Sequence, residues 1–342
     1  GIDFVGGKVA VQAFYIISGF YMALILNEKY VGQNGAFGLF ITNRFLRLFP
    51  VYWVVLAASV GVCIVVSCTI KGHSTNSFDW YFKVPPDPVA LIFLILTNLA
   101  IFGQDLVMFM GIDPDSGSLY FIPDFINSNP ALFRYMFILQ AWTLGIELCF
   151  YLVAPFLLTR GLKPVLACIV LSFLLRMFIY YYLGLKNDPW THRFFPTELI
   201  FFLFGYLAYR ISLVMATKKI PGFVNIFILA AITVFTVIYY KIIRGMTISQ
   251  ITVTELIYLF CIFVSIPFLF TYFKKSRVDS LIGELSYPMY ISHMLVASIC
   301  LGTHLSILKP GAAIAVCTIL VSWLLNKYVA DPVERYRQQR LK

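Results

Sequence analysis

Four stretches of this sequence place polar or charged side chains inside apolar runs, at spacings that could do chemistry. In "LQAWTLGIELCFY" (Leu139 to Tyr151), Gln140, Thr143, Glu147 and Tyr151 fall at i, i+3, i+7 and i+11, one polar stripe on one helical face. A carboxylate within an apolar helix marks a functional position unless an arginine neutralises it, and Arg176 is available for that. In "RFLRLFPVYW", Arg44 and Arg47 stand three residues apart and so share a helical face. They either snorkel to headgroups and fix topology or clamp a phosphorylated ligand, whose oxygens match the guanidinium fork. Pro50 suits a helix starting nearby, where free N–H groups also favour anions. In "GELSYPMYISHML" (Gly283 to Leu295), Ser286, Tyr290 and His293 share a face. Ser286 and His293 would be about 10 Å apart along the axis, too far for a nucleophile and its base; His293 either bridges helices by hydrogen bonding or serves a site. In "VQAFYIISGFYMAL", Ser18 and Gly19 let a neighbouring helix or a ligand approach closely. His73, His192 and His304 sit in loops or at helix ends without pattern, and Glu198, Glu255 and Glu284 are further ionisable groups in or near apolar runs. There is no metal-ligand spacing, phosphate loop, GxSxG or dinucleotide fingerprint.

These residues need an apolar scaffold to hold them. The chain is 60% hydrophobic and 12% charged, with a mean hydropathy of +0.85; a soluble fold of that composition would expose large apolar patches. Apolar segments run near 8–26, 50–70, 89–103, 131–159, 164–183, 194–214, 222–240, 250–273, 281–304 and 310–328, most of them long enough to cross a bilayer. They lack the alternation of a membrane barrel. The sequence predicts an all-α, polytopic integral membrane bundle of nine or ten segments, forming a single transmembrane domain over 1–342. The net charge of +10 is spread in short basic clusters between apolar runs, as in cytoplasmic loops facing lipid headgroups rather than a nucleic-acid site. The seven cysteines are odd in number, form no CxxC pair and mostly lie inside apolar runs, so they read as small buried hydrophobes.

Loop charge orients the helices. Arg160 with Lys163, Lys218 with Lys219, Lys274 to Arg277, and the basic tail belong inside, and the acidic 104–130 stretch, with four Asp and no Lys or Arg, belongs outside. Placing Arg44 and Arg47 inside as well leaves one crossing too many before residue 104. Segment 89–103 is the shortest, at about 15 residues, and follows "PPDP"; it is expected to be re-entrant or interfacial.

Taken together, the four stretches resemble acyltransferase family 3, membrane proteins that O-acylate carbohydrates. "FYIISGF" is similar to the family's FFxxSGF element, "RFLRLFPVYW" to RxxRxxPxY, "WTLGIELCFYLVAP" to WSLxxExxFYLxxP and "LGELSYPMYISHM" to G-x-x-SYxxYxxH, in the family's order; "VADPVERYRQQR" is similar to its basic end. Gln12 stands where the family usually has Asp, and Thr143 where Ser is commoner. The family's first helix, with an Arg and the catalytic His, precedes the SGF helix, and no histidine of this chain matches it; a chain that starts naturally at Gly1 is expected to be inactive or to need another subunit.

The resemblance implies roles. Arg44 and Arg47 bind the phosphates of an acyl-CoA donor, acetyl-CoA by expectation, from the cytoplasm; Ser18 and Gly19 let it thread past their helix. Glu147 orients or charge-stabilises the upstream histidine, or positions the acceptor. Tyr287 and His293 help build the pocket, and Trp142 and Gln140 contact the acceptor. No permanently bound cofactor, metal or nucleic acid is expected. The partners are membrane lipids, the donor and a carbohydrate hydroxyl, and the location is a bacterial inner membrane. A transporter or flippase for a lipid-linked sugar is the rival expectation, since intramembrane Glu and Arg suit it too; a catalytically dead scaffold is a third.

Overall fold

The computed structural model describes residues 4–30, 36–69, 76–218, 220–302 and 310–340. His73, His304 and Lys219 lie outside them. Nine helices among the described residues are long and apolar enough to cross a membrane: Gly7–Tyr30, Phe37–Thr69, Leu139–Leu157, Leu162–Tyr182, Phe195–Met215, Gly222–Ile243, Thr252–Phe273, Arg277–Gly302 and Pro310–Gln339. The all-α polytopic architecture expected from composition is therefore the observed one. The chain divides into two compact units, residues 1–37, 150–183 and 195–280 in one, and 38–149, 184–194 and 281–342 in the other.

In the first unit, α1 (Gly7–Ile25) packs on α7 (Phe195–Met215), beside α6 (Leu162–Met177), α8 (Gly222–Ile243) and α9 (Ile248–Phe273). Two glycines set the α1–α7 distance. A Cβ on Gly19 would lie 1.9 Å from the carbonyl oxygen of Phe202, and one on Gly205 2.1 Å from that of Ile16. The backbones touch, as small residues permit in membrane helices. The Phe202 ring is stacked between Tyr15 and Phe150, with centroids 4.5 and 4.3 Å away. Beside this contact lies a buried polar group: Glu198, fully buried, accepts from Gln12 Nε2 at 3.2 Å and is ion-paired with Arg176. The partner that the sequence left open for Arg176 is thus Glu198. Lys8 pairs with Glu255 at 3.0 Å, so one ion pair joins α1 to α9 and another α6 to α7. By contrast α8 turns Phe223 and Phe227 outward, as a lipid-facing helix does.

The second unit contains α2 (Ala36–Thr69) from residue 38, α3 (Ser77–Lys83) and α4 (Pro88–Ala100). It continues with the first half of α5 (Trp142–Leu157), α10 (Arg277–Gly302) from residue 281, α11 (Pro310–Leu325) and α12 (Asp331–Gln339). Helix α4 has 13 residues, about 20 Å against a hydrocarbon core of about 30 Å. Its far end lies level with the middle of α2: the Tyr52 hydroxyl donates to the Asn98 carbonyl, and Trp53 Nε1 to that of Leu99 at 2.9 Å. The chain then returns. Asp87 N–H donates to the Gly117 carbonyl at 2.9 Å, and the Tyr135 hydroxyl to the Val84 carbonyl at 2.7 Å. Segment 88–117 therefore begins and ends together.

The acidic stretch contains a hairpin of β1 (Met110–Ile112) and β2 (Leu119–Phe121), paired Met110 to Phe121 and Ile112 to Leu119. Its turn is held by Asp113, whose carboxylate accepts from the Ser116 N–H and hydroxyl, both at 2.8 Å; these bonds hold its pKa below the usual carboxylate range. Leu94, Val107, Ile112, Leu132, Tyr135 and Met136 form the buried core beneath.

Two boundaries differ from the sequence reading. Residues 131–138, read as the head of a spanning helix, form short turns over this core, and the helix proper begins at Trp142. Their apolar side chains bury against the hairpin rather than against lipid. Helix α2 does not start near Pro50 but at Ala36, and it runs through the proline. Arg44 and Arg47 thus sit inside a helix whose N–H groups are already engaged, so a helix-terminus contribution to anion binding does not arise there.

Candidate active site

The second unit holds the polar stripe of α5 against the middle of α10. Tyr290 reaches Thr143, their hydroxyls 2.6 Å apart, and donates to the Gln140 carbonyl at 2.7 Å. Gln140 Nε2 donates in turn to the Ile291 carbonyl at 2.9 Å. The start of α5 and the middle of α10 are stitched in both directions by these side chains. Glu147 is 5% exposed, and both it and Arg193 lie within electrostatic reach of the Tyr290 hydroxyl.

His293 Nδ1 lies 2.7 Å from the Tyr290 carbonyl. A carbonyl only accepts, so Nδ1 is the donor in this contact and Nε2 is the ring nitrogen left for other partners. Ser286, by contrast, donates to the Gly283 carbonyl at 2.7 Å, consistent with its exclusion as a nucleophile partnered by His293.

One end of this network is roofed by the loop 184–194. Arg193 lies over the Trp142 ring at 4.0 Å, and its Nε donates to both Asp188 oxygens at 2.7 and 2.9 Å. The His192 ring meets Trp142 edge-on, centroids 5.6 Å apart. His192 was set aside in the sequence, and Asp188 and Arg193 were not singled out. The run "DPWTHR" (Asp188 to Arg193) carries an acid, an indole, an imidazole and a guanidinium in six residues, and that density was the available signal. Gln140 Oε1 and Arg193 Nη1 are buried with no hydrogen-bond partner among the described residues, an acceptor and a donor both open to a ligand.

A short distance along α10 is a cavity of about 230 Å³, lined by Arg47, Pro50, Glu284, Tyr287 and Pro288, with residues of α12. Its origin is legible in the two prolines. Each lacks an N–H and cannot bond the carbonyl four residues back, and those residues, Leu46 and Glu284, also line the cavity. Both helices lose a rung at one place, and space opens between them. Tyr287 crosses this gap and donates to the Leu48 carbonyl at 2.6 Å. Tyr290 is one turn further along α10, about 4.5 Å of rise, so the cavity adjoins the polar network.

Arg47 is exposed toward the cavity, whereas Arg44 is buried, its guanidinium 5.6 Å from the Phe40 ring centre. The expected pair is not brought into one opening. Ser18 and Gly19 lie in the first unit, where the Phe202 backbone occupies the face of Gly19. Trp142, Gln140, Glu147, Tyr287 and His293 all belong to the second. Asp105 adds a group the sequence reading did not select: it is buried, its Oδ1 has no hydrogen-bond partner among the described residues, and the same oxygen would be 3.0 Å from a Cβ on Gly145. No cluster of three or more His, Cys, Asp or Glu able to hold a metal occurs among the described residues.

Spanning helices with buried polar side chains between them define a polytopic membrane protein. The model of acyltransferase family 3, described as an acyltransferase domain, matches residues 2–327. The chain belongs to that family and is a multi-pass membrane acyltransferase. An uncharacterized protein of Aquifex aeolicus (strain VF5) is 27% identical over 206 residues, covering 58% of this chain and 88% of the relative. No solved structure matches the chain.

Proposed function

We propose that this protein transfers an acyl group, acetyl in the first instance, from acyl-CoA at the cytoplasmic face to a hydroxyl of a cell-surface or exported carbohydrate, in a bacterial inner membrane. The observation that carries this reading is the cavity at Arg47 and Tyr287, one helical turn from the Tyr290–Thr143–Gln140 network and His293. A guanidinium at the opening suits the donor's phosphates. The indole and charged groups of Trp142, Arg193 and Asp188 suit a sugar ring and its hydroxyls.

The chemistry is acyl transfer. The acceptor oxygen attacks the thioester carbonyl, the carbon–sulfur bond breaks, and the hydroxyl proton ends on the departing thiolate. His293 Nε2 takes that proton in transit as a general base, or relays it with the upstream histidine that the family resemblance implies. Glu147 stabilises the positive charge the relay creates. Arg44, buried on the same helix, adds positive potential.

The test is donor affinity in the purified protein. Arg47→Ala is expected to weaken acetyl-CoA binding at least tenfold, by calorimetry in detergent, with an unchanged elution profile. Unchanged affinity in a folded variant would sink the donor site at Arg47.

A further inference from the structure

The cavity wall opposite α2 and α10 comes from the C-terminal helix α12, which lies beyond the residues matched by the family. Arg337 is 6% exposed and lines the same cavity as Arg47. It is ion-paired with Glu334 one turn earlier. Glu334 also lines the cavity and accepts from Gln338 Nε2 at 2.5 Å, yet its side chain is 45% exposed, so water can replace these partners. Three residues on, Arg340 fastens the helix to the start of α2. Its Nη1 donates to Asn43 Oδ1 at 3.1 Å, and its Nη2 to Thr42 Oγ1 at 2.9 Å. Arg44 follows Asn43 directly. Two chain segments thus bring guanidinium groups to one end of the second unit, and the buried Arg337 is paired with a half-exposed carboxylate.

We propose that Arg337 is a ligand for the donor's nucleotide phosphates, with Glu334 as an internal stand-in that phosphate displaces. This rests on the donor reading above and extends it to a helix outside the family's matched residues. A phosphate carries more charge than a carboxylate and bonds a guanidinium through two oxygens at once. Exchange of one for the other conserves the pairing of a buried cation, while Glu334 regains its hydration. Glu284 and Asp331 also line the cavity, so without that exchange acidic groups outnumber basic ones at the opening and oppose a polyanion. The exchange is therefore required for tight binding. A lipid headgroup presents the same phosphate chemistry, and the assay must separate the two.

The experiment measures coenzyme A affinity of the full chain in nanodiscs of phosphatidylcholine alone and of phosphatidylcholine with phosphatidylglycerol. Arg337→Ala is expected to weaken binding at least tenfold in both, and Arg337→Lys to restore part of it. Glu334→Gln is expected to tighten binding severalfold, a gain that misfolding cannot produce. Arg47→Ala serves as the marker for the donor site itself. If it weakens binding while Arg337→Ala or Glu334→Gln leaves affinity unchanged, the role of α12 is overturned and the donor site stands. If Arg47→Ala and Arg337→Ala are both without effect, the donor site itself has failed. An Arg337→Ala effect confined to discs with phosphatidylglycerol identifies a lipid occupant and overturns the proposal.

Discussion

The carboxylate of Asp105 is the plainest residue-scale departure from what stability alone would select. A buried acid lacking a partner on one oxygen is destabilising by about 1–3 kcal/mol, and such groups persist where a site uses them. Asp105→Asn is expected to raise the unfolding temperature in detergent while lowering turnover. A fall in that temperature would show that the carboxylate stabilises the fold instead. At this scale the sequence was readable wherever a polar residue interrupted an apolar helix, as at Glu147 and His293. It was opaque where the residue stood in a loop, because nothing in a run such as "DPWTHR" says which helix the loop will cover. Asp105 was hidden for the same reason: one of four acids in a polar stretch, it was counted as charge rather than as a group that would be buried.

Elements were more legible than their boundaries. Gly19 illustrates why a motif alone underdetermines a role, since a glycine admits a ligand or a helix equally, and here a helix backbone fills the space. Gly19→Ala is expected to leave little folded protein, because the new methyl group meets the Phe202 carbonyl and overpacking of this kind typically costs about 1–3 kcal/mol or more. Gly61→Ala, where nothing lies within 4 Å, is the control and is expected to elute as wild type. Normal folding of Gly19→Ala would mean that α1 and α7 are not in backbone contact. The start of α2 was misread because proline usually opens a helix. In a bilayer a spanning helix continues through proline when neighbours compensate, and the hydroxyl of Tyr287 bonds the backbone two residues before Pro50.

For the whole molecule, composition carried the all-α polytopic architecture, while loop charge proposes a re-entrant or interfacial course for 89–103. That course makes a topological prediction. In an otherwise cysteine-free background, Ser77→Cys and Ser116→Cys are expected to react with a membrane-impermeant maleimide from the same side of sealed vesicles. Labelling from opposite sides would require 88–100 to cross. What composition could not carry was the cavity, since it depends on two prolines far apart in sequence meeting at one depth. That meeting has a mechanical meaning. Ordinarily, prising apart two packed helices means bending each against its own intact ladder. Here neither ladder is continuous at Pro50 or Pro288, so both rods carry a ready-made joint facing the gap, and a bulky guest can be admitted by flexing at these joints without first tearing any main-chain bond there.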